Sequence, residues 1–347
     1  MSANLVEYVW LDGYTPEPTL RSKIKVSDGS SSGQWSFDGS STRQAEGNFS
    51  DCILNPVKRY HDSNRNDKIF VLCEVLNPDG TPHESNDRSK LLDSMYYTTP
   101  NGTEWPTPNG TEWPWFGFEQ EYFIRQGHKK NILGFESNYS TEKQGKYYCG
   151  VGGLIVGRDL SDEHLEMCLK YGIGIHGTNA EVAIGQWEYQ IFGRGAAVTS
   201  DDLWMSRYFL FKLAEKYGYD IELHPKPLQT GDWNGSGLHT NFSTPRMRDV
   251  GGEGYFNKIF KQFDKDKEIH IANYGSDNHL RLTGKFETQD IHKFTWGIAD
   301  RGASIRIPTG TAENWRGYLE DRRPASNANP YKVTKVILDS MYEVDKK

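Results

Sequence analysis

Short alternations of apolar and polar residues dominate the first part of the chain. VEYVWLDGY (Val6–Tyr14) and KIKV (Lys23–Val26) read as strands, a Ser/Gly run from Asp28 to Gly33 as a turn, and IFVLCEVL (Ile69–Leu76) as a further strand. They predict a small β-rich N-terminal domain over residues 1–98. A break follows in which TPNGTEWP occurs twice in succession, Thr99–Pro106 and Thr107–Pro114. Eight residues repeated once and rich in Pro, Gly and Asn make a loop, not a solenoid, so residues 99–114 read as a linker without a functional role.

In residues 115–347 helical patterns alternate with strands. Ser161 before Asp162 and Glu163 predicts a capped helix start, with Leu165 and Leu169 along one face. Ser200 before Asp201 and Asp202 predicts another, its apolar stripe of Leu203, Leu210, Ala214 and Tyr217 closed by Gly218. A third helix is expected from Tyr255 to Lys267, with the DKDKE end as a solvated face. FGFEQEYF (Phe116–Phe123), two pieces around Gly185 in NAEVAIGQWEY (Asn179–Tyr189), GLHTNFS (Gly237–Ser243) and SIRI (Ser304–Ile307) read as strands. Helices outside a curved antiparallel sheet leave its other face free to be polar, so the fold class is α+β: the small β-rich domain, then a larger one with a curved antiparallel sheet flanked by helices.

Composition narrows the function. The chain has 347 residues and a net charge of -7, and its 40 Lys and Arg form no basic block, which excludes a nucleic-acid footprint. Cys52, Cys73, Cys149 and Cys168 form no CxxC pair and read as reduced packing residues of a cytoplasmic protein. The start MSANLVEYVW has no leader pattern, and no apolar run is of membrane length; a cytosolic protein without a membrane partner is expected.

Candidate chemistry sits on the predicted strands. Glu119 and Glu121 are two apart and so face one way, where their mutual repulsion calls for a cation or a proton. Alone, that pair fits an ordinary surface strand equally well. Glu181, Glu188, His239 and Glu320 add further candidate ligands, and a set with many carboxylates and one imidazole suits magnesium or manganese better than zinc. Alone, His239 reads as a packed or surface histidine. Arg281, Arg301, Arg306, Arg322 and Arg323 are suited to carboxylate or phosphate, and salt bridges on a solvated strand are the alternative. Ile305 and Ile307 would face a core and leave Arg306 on the other side.

These strings, in this order, resemble the glutamine synthetase family, of the eukaryotic-like type also found in some bacteria. The resemblance runs from EYVWLDG (Glu7–Gly13), LRSK (Leu20–Lys23) and FDGSSTRQAEG (Phe37–Gly47), through Ser50 and Asp51 and every string above, to NPYKV (Asn329–Val333). It implies that glutamine is made from L-glutamate, ammonium and ATP through γ-glutamyl phosphate, with two or three Mg2+ or Mn2+ ions. Residues 115–347 would be the catalytic, ATP- and metal-binding domain.

Carried over by motif, Glu121, Glu181 and Glu188 would hold the ion nearer glutamate and ammonia, and Glu119, His239 and Glu320 the ion at the ATP phosphates. Arg301 and Arg306 would stabilise the transferring phosphate, and Trp115, Asn241, Ser243 and Tyr318 complete the implied ATP site. Without the family, Trp115 and Tyr318 read as core aromatics. Arg281, Arg322, Asn234 and Gly235 would bind glutamate, and Glu287 would close over the site as a flap carboxylate. Asp38 and Asp51 match the acids of the ammonium pocket, although DGSS alone is ordinary turn chemistry. The family further implies a homo-oligomer, a decamer of two stacked rings with active sites between subunits. Asp300 departs from the Asn of many relatives, and the duplicated loop directly precedes Trp115. A glutamate–amine ligase of the same fold and a catalytically silent structural relative are the competing readings.

Overall fold

The computed structural model describes residues 4–27, 33–62, 68–95, 114–135 and 143–346. The expected turn at Asp28–Gly33 and the duplicated TPNGTEWP segment lie outside them, apart from Gly33 and Pro114. In chain order the small domain has β1 (Asn4–Leu11), β2 (Leu20–Ser27), β3 (Trp35–Asp38), β4 (Asp51–His61) and β5 (Lys68–Leu76), then α1 (Asp87–Met95). The larger part has β6 (Trp115–Arg125), α2 (Arg158–Lys170), β7 (Ile175–Ala180), β8 (Gln186–Gly193), α3 (Ala196–Tyr217), β9 (Asp220–Glu222) and β10 (Leu238–Ser243). It continues with α4 (Pro245–Asp249), α5 (Glu253–Lys265), α6 (Lys267–Asn273), β11 (Trp296–Ile298), β12 (Ile305–Ile307), α7 (Thr309–Asn314), β13 (Leu319–Asp321) and α8 (Pro330–Asp345).

The small sheet has strand order β2-β1-β5-β4-β3, with β1 and β5 parallel and the other pairs antiparallel. Both of its faces are covered, which is why β5 reads as an almost unbroken apolar run. Val6, Tyr8, Trp10, Phe37, Leu54, Val71 and Val75 pack on one side. Val9, Tyr60, Phe70 and Leu72 on the other join the main core. Strands β3 and β4 are absent from the sequence reading: β3 has only four residues, and in β4 Pro56, Lys58 and Arg59 interrupt the alternation, with a register shift between Pro56 and Lys58.

The larger sheet runs β11-β12-β13-β10-β6-β8-β7, with β9 also pairing with β6. It is antiparallel except where β11 meets β12. One face lies on helices: Phe118, Tyr122, Leu238, Phe242, Ile305, Ile307 and Leu319 share the core with Leu203, Phe209 and Leu210 of α3 and Val333, Ile337 and Met341 of α8. Burying each such large side chain contributes roughly 1.5–3 kcal/mol. The opposite face carries Glu119, Glu121, Glu188, His239, Arg306 and Glu320, whereas Asp321 lies on the helix side, buried and paired with Arg323 at 2.6 Å.

Several local expectations change. Helix α2 begins at Arg158 after an uncapped Gly157, and Ser161 lies inside it, buried, with its hydroxyl 2.8 Å from that of Thr178. Its buried face is Leu160, Ser161, His164 and Cys168, while Leu169 is exposed. Helix α3 begins at Ala196, so Ser200, Asp201 and Asp202 are interior positions, not a cap and an acidic first turn. Their partners come from distant segments: Arg88 Nε and Tyr331 Oη donate to Asp201, and Lys58 and Tyr60 donate to Asp202. The C-terminal stop at Gly218 is as expected, with φ 70°. The third helix ends at Lys265; Asp264, Lys265 and Glu268 of the DKDKE run are exposed as expected, and the half-buried Asp266 accepts from Gln262 and Ser340. Cys52, Cys73 and Cys168 are buried and free as expected, whereas Cys149 is exposed and is no packing residue.

Helix α3 also joins the two sheets. Glu7 of β1 is 1 % exposed and accepts from Tyr208 and Lys212 of α3, with Lys68 at 2.8 Å. Burial works to raise the Glu7 pKa, but the Lys212, Lys68 and Tyr208 donors outweigh it and hold the carboxyl below its usual value.

Candidate active site

The register of three neighbouring strands builds the centre of the site. Glu119 of β6 lies directly opposite His239 of β10, and Glu320 of β13 lies opposite both Asn241 of β10 and Arg306 of β12. Since alternate residues of a strand face the same way, the core-facing Phe118, Leu238, Leu319, Ile305 and Ile307 force Glu119, His239, Glu320 and Arg306 onto the other face. The ligand atoms of Glu119, His239 and Glu320 all lie within 4.8 Å of one another. His239 Nδ1 is 3.5 Å from Glu119 and 3.6 Å from Glu320.

Two residues further along β6, Glu121 lies opposite Glu188 of β8, and Glu181 follows the end of β7. All six candidate ligands line one cleft of about 300 Å³, together with Asn234, Gly235, Arg281, Glu287, Arg301, Arg306 and Arg322. Backbone geometry keeps this crowd open: a Cβ on Gly235 would come within 2.4 Å of the Pro225 carbonyl oxygen and 2.8 Å of the Arg281 side chain. Gly237 donates its backbone N–H to Glu121 at 2.7 Å, while its own carbonyl accepts the Glu121 N–H.

Electrostatics at the two ends of the cleft differ. Burial, and then the neighbouring Glu181, push Glu121 up to about 8. Burial raises Glu181, and burial followed by Glu119 and Glu121 raises Glu188 well above the carboxylate range. Three acids that resist ionising together are a strong demand for positive charge. At the other end, Glu320 accepts from Arg306 at 2.7 Å and Arg322 at 2.5 Å, and Asn241 donates to Glu119 at 2.8 Å. Burial and the positive Arg322 hold His239 well below its usual pKa, so the imidazole is neutral. Arg281 Nη2 lies 3.0 Å from His239 Nε2; a guanidinium only donates, so Nε2 accepts and Nδ1 carries the proton towards the two carboxylates.

Arg281 is nearly buried, pushed down to about 10 by burial, and donates also to the carbonyls of Arg322 and Arg323. Glu287 reaches across the cleft mouth, 2.9 Å from Arg301 and accepting from Asn234 at 3.3 Å. Residues not anticipated from sequence also shape the cleft: Tyr148, Gln186, Phe286 and Thr288 line it. Gln186 donates to Glu121 and to the Gly235 carbonyl, and Gln190 donates to Glu188. Gln186, Glu188 and Gln190 share one face of β8, so its period-two pattern carried that signal.

Other candidates lie outside the cleft lining. Asp38 and Asp51 are exposed and face each other across β3 and β4. Asp38 caps a turn, accepting from the Ser40 and Ser41 hydroxyls, and these bonds lower its pKa. Trp115 pairs with Ser243 at the far end of β6 and β10, and its ring lies 4.0 Å from the Arg248 guanidinium and 4.9 Å from that of Arg194. Arg248 donates to both the carbonyl and the hydroxyl of Ser243. Tyr318 is 45 % exposed, so it is not a core aromatic.

The chain is similar to known proteins over almost its whole length. Residues 2–78 match the family model described as glutamine synthetase, beta-Grasp domain, and residues 107–253 that described as glutamine synthetase, catalytic domain. The chain is 48 % identical to a glutamine synthetase of Bradyrhizobium diazoefficiens, over 99 % of this chain and 98 % of the relative. It is 43 % identical to a chloroplastic glutamine synthetase of Chlamydomonas reinhardtii, over 96 % of this chain and 90 % of that one. A cryo-EM structure of Plasmodium falciparum glutamine synthetase superposes with a TM-score of 0.79 at 17 % identity, covering 99 % of this chain and 73 % of that chain.

Proposed function

The chain belongs to the glutamine synthetase family, and we propose that its polar cleft holds divalent cations on two carboxylate sets, Glu119–His239–Glu320 and Glu121–Glu181–Glu188. It joins ammonia to the γ-carboxylate of L-glutamate, using ATP, to give L-glutamine. The observation that carries the site assignment is the convergence of Glu119, His239 and Glu320 from three strands to within 4.8 Å. Oxygen donors with one neutral imidazole suit Mg2+ or Mn2+. Such ions, when bound, neutralise phosphate oxygens and so favour phosphoryl transfer.

The protein's own residues supply the rest. A carboxylate is a poor acyl donor because its leaving group would be oxide, so the γ-carboxylate is first converted into γ-glutamyl phosphate. Arg301 and Arg306, both in the cleft, place positive charge beside the transferring group. Arg281 and Arg322 hold the substrate carboxylate, with Asn234 and Gly235 against the amino-acid backbone. Asn241, Ser243, Trp115 and Tyr318, towards the strand ends beyond Glu119, would hold the nucleotide. Glu287, at the mouth, excludes water from the acyl phosphate and takes a proton from the ammonia adduct.

Asp38 and Asp51 are assigned to the ammonium pocket of a neighbouring subunit, which accounts for their exposure in a single chain and for their distance from its own cleft lining. A decamer of two stacked rings, and the division into residues 1–98, 99–114 and 115–347, belong to the same proposal; the two separate sheets support the division. So does a cytoplasmic location. No helix among the described residues is long and apolar enough to cross a membrane. The test is ATP-dependent product formation with ammonium against a panel of organic amines. Preference for ammonium supports this reading, preference for an amine indicates a glutamate–amine ligase, and no product from a folded oligomer indicates a silent relative.

A further inference from the structure

The flap leaves the body at Thr283 and returns at Asp290, where the two form an antiparallel bridge. Its tip is two successive non-glycine residues in the left-handed region, Phe286 at φ 56° and Glu287 at φ 61°. Side chains with a Cβ disfavour that region, so the tip holds only if its surroundings fix it. Glu287 is fixed by Arg301 and Asn234. Phe286 is fixed elsewhere: its ring centroid lies 4.3 Å from the ammonium of Lys226.

Lys226 is an unusual lysine. It is 8 % exposed, on the loop before β10, and its Nζ donates to the carbonyl of Trp233, the residue preceding Asn234. Among the described residues no carboxylate forms an ion pair with it; Asp232 acts only through space, against the burial that lowers the Lys226 pKa. A buried ammonium without a counter-ion is costly, and the face of an aromatic ring offsets part of that cost. One charge therefore ties together the loop that presents Asn234 and the flap that presents Glu287.

We propose that Lys226 is a positioning residue for the flap: its ammonium, anchored on the Trp233 carbonyl, holds the Phe286 ring and thereby keeps Glu287 turned over the cleft towards Arg301 and Asn234. The proposal rests on the reading of Glu287 as the closing carboxylate. Lys226 itself touches no reacting atom. Its removal acts on how long the flap stays shut, not on the chemistry beneath it.

The test uses the full assembled enzyme carrying Lys226→Met, Lys226→Arg, Phe286→Leu, or Lys226→Met with Phe286→Leu. One readout is hydrogen exchange at the Thr288 amide, which donates to the Lys285 carbonyl within the flap at 3.2 Å. The other is glutamine formed per ATP consumed. Lys226→Met and Phe286→Leu should each speed Thr288 exchange roughly fivefold and lower the coupling ratio, as expected for loss of one cation–π contact. Lys226→Arg should restore most of both, and the double variant should be no worse than either single one. Additive effects in the double variant, or wild-type exchange in Lys226→Met, overturn the proposal. If Lys226→Met does not assemble, Phe286→Leu decides, because its ring is half-exposed on the flap: unchanged exchange there overturns it too. If Glu287→Ala stays fully coupled, the reading of Glu287 fails, yet Thr288 exchange still reports whether Lys226 holds the flap.

Discussion

His239 faces Glu119 squarely across the β6–β10 pairing, with Nδ1 3.5 Å from the carboxylate. Glu320 approaches the same nitrogen at 3.6 Å from the next strand. A neutral imidazole bracketed by two carboxylates, with Arg306 and Arg322 on Glu320, is a site whose charge balance changes when a cation arrives. Residues that orient this centre matter nearly as much as those inside it.

Gln186 is one of them. It is buried and donates to Glu121 at 3.3 Å and to the Gly235 carbonyl at 3.2 Å. Gln186→Leu should weaken Mn2+ binding about 10- to 100-fold with little change in fold, the usual effect of losing an outer hydrogen bond to a metal ligand. Titration of the assembled variant with Mn2+ measures this; wild-type affinity would show that Glu121 is oriented by its other partners alone.

Glu287→Ala should separate the two halves of the reaction. The acyl phosphate should still form slowly but leak to water, so that ATP hydrolysis outruns glutamine formation. Parallel phosphate and glutamine assays read the ratio. Equal losses in both would place Glu287 outside the closing step.

Glu7 gives a pH dependence at the domain junction. Its folded pKa lies below the unfolded value, so its contribution to stability is fully present above the unfolded pKa of about 4.3 and is lost as pH falls through the lower folded value. Glu7→Gln should therefore be less stable than the parent at pH 7, and the gap should close on acidification. Denaturant midpoints at several pH values test this, and a gap independent of pH would contradict the ionic account.

Asp38→Ala and Glu287→Ala subunits, each nearly inactive, should complement when unfolded, mixed equally and reassembled. With random neighbours around a closed ring, about a quarter of shared sites receive both intact residues. Mixed rings showing only the sum of the two residual activities would put the whole site within one chain.

The charged face of β6 was legible in the sequence because strand alternation is local: Phe118 and Tyr122 inward fix Glu119 and Glu121 outward without knowledge of neighbouring strands. The resemblance of the motifs implies roles that alternation cannot. What escaped depends on distant partners. Ser161 and Ser200 look like caps beside acids, yet both are buried within helices, and Asp201 and Asp202 are neutralised by Arg88 and Lys58 from the small domain. The Lys226–Phe286 contact was equally hidden, since sixty residues of sequence separate two side chains that meet in space. Asp38 reads as a turn residue, and within one chain that is the structure it forms.

Counting Mn2+ bound per chain in the assembled protein by electron paramagnetic resonance, for the parent, Glu320→Ala and Glu188→Ala, tests whether the two carboxylate sets of the cleft hold separate cations. Each variant should lose one ion, retain the other and lose activity by roughly 100-fold or more, a larger loss than removing a hydrogen bond to a ligand would cause. An unchanged ion count in either variant, or full turnover in excess Mg2+, would contradict separate cation sites.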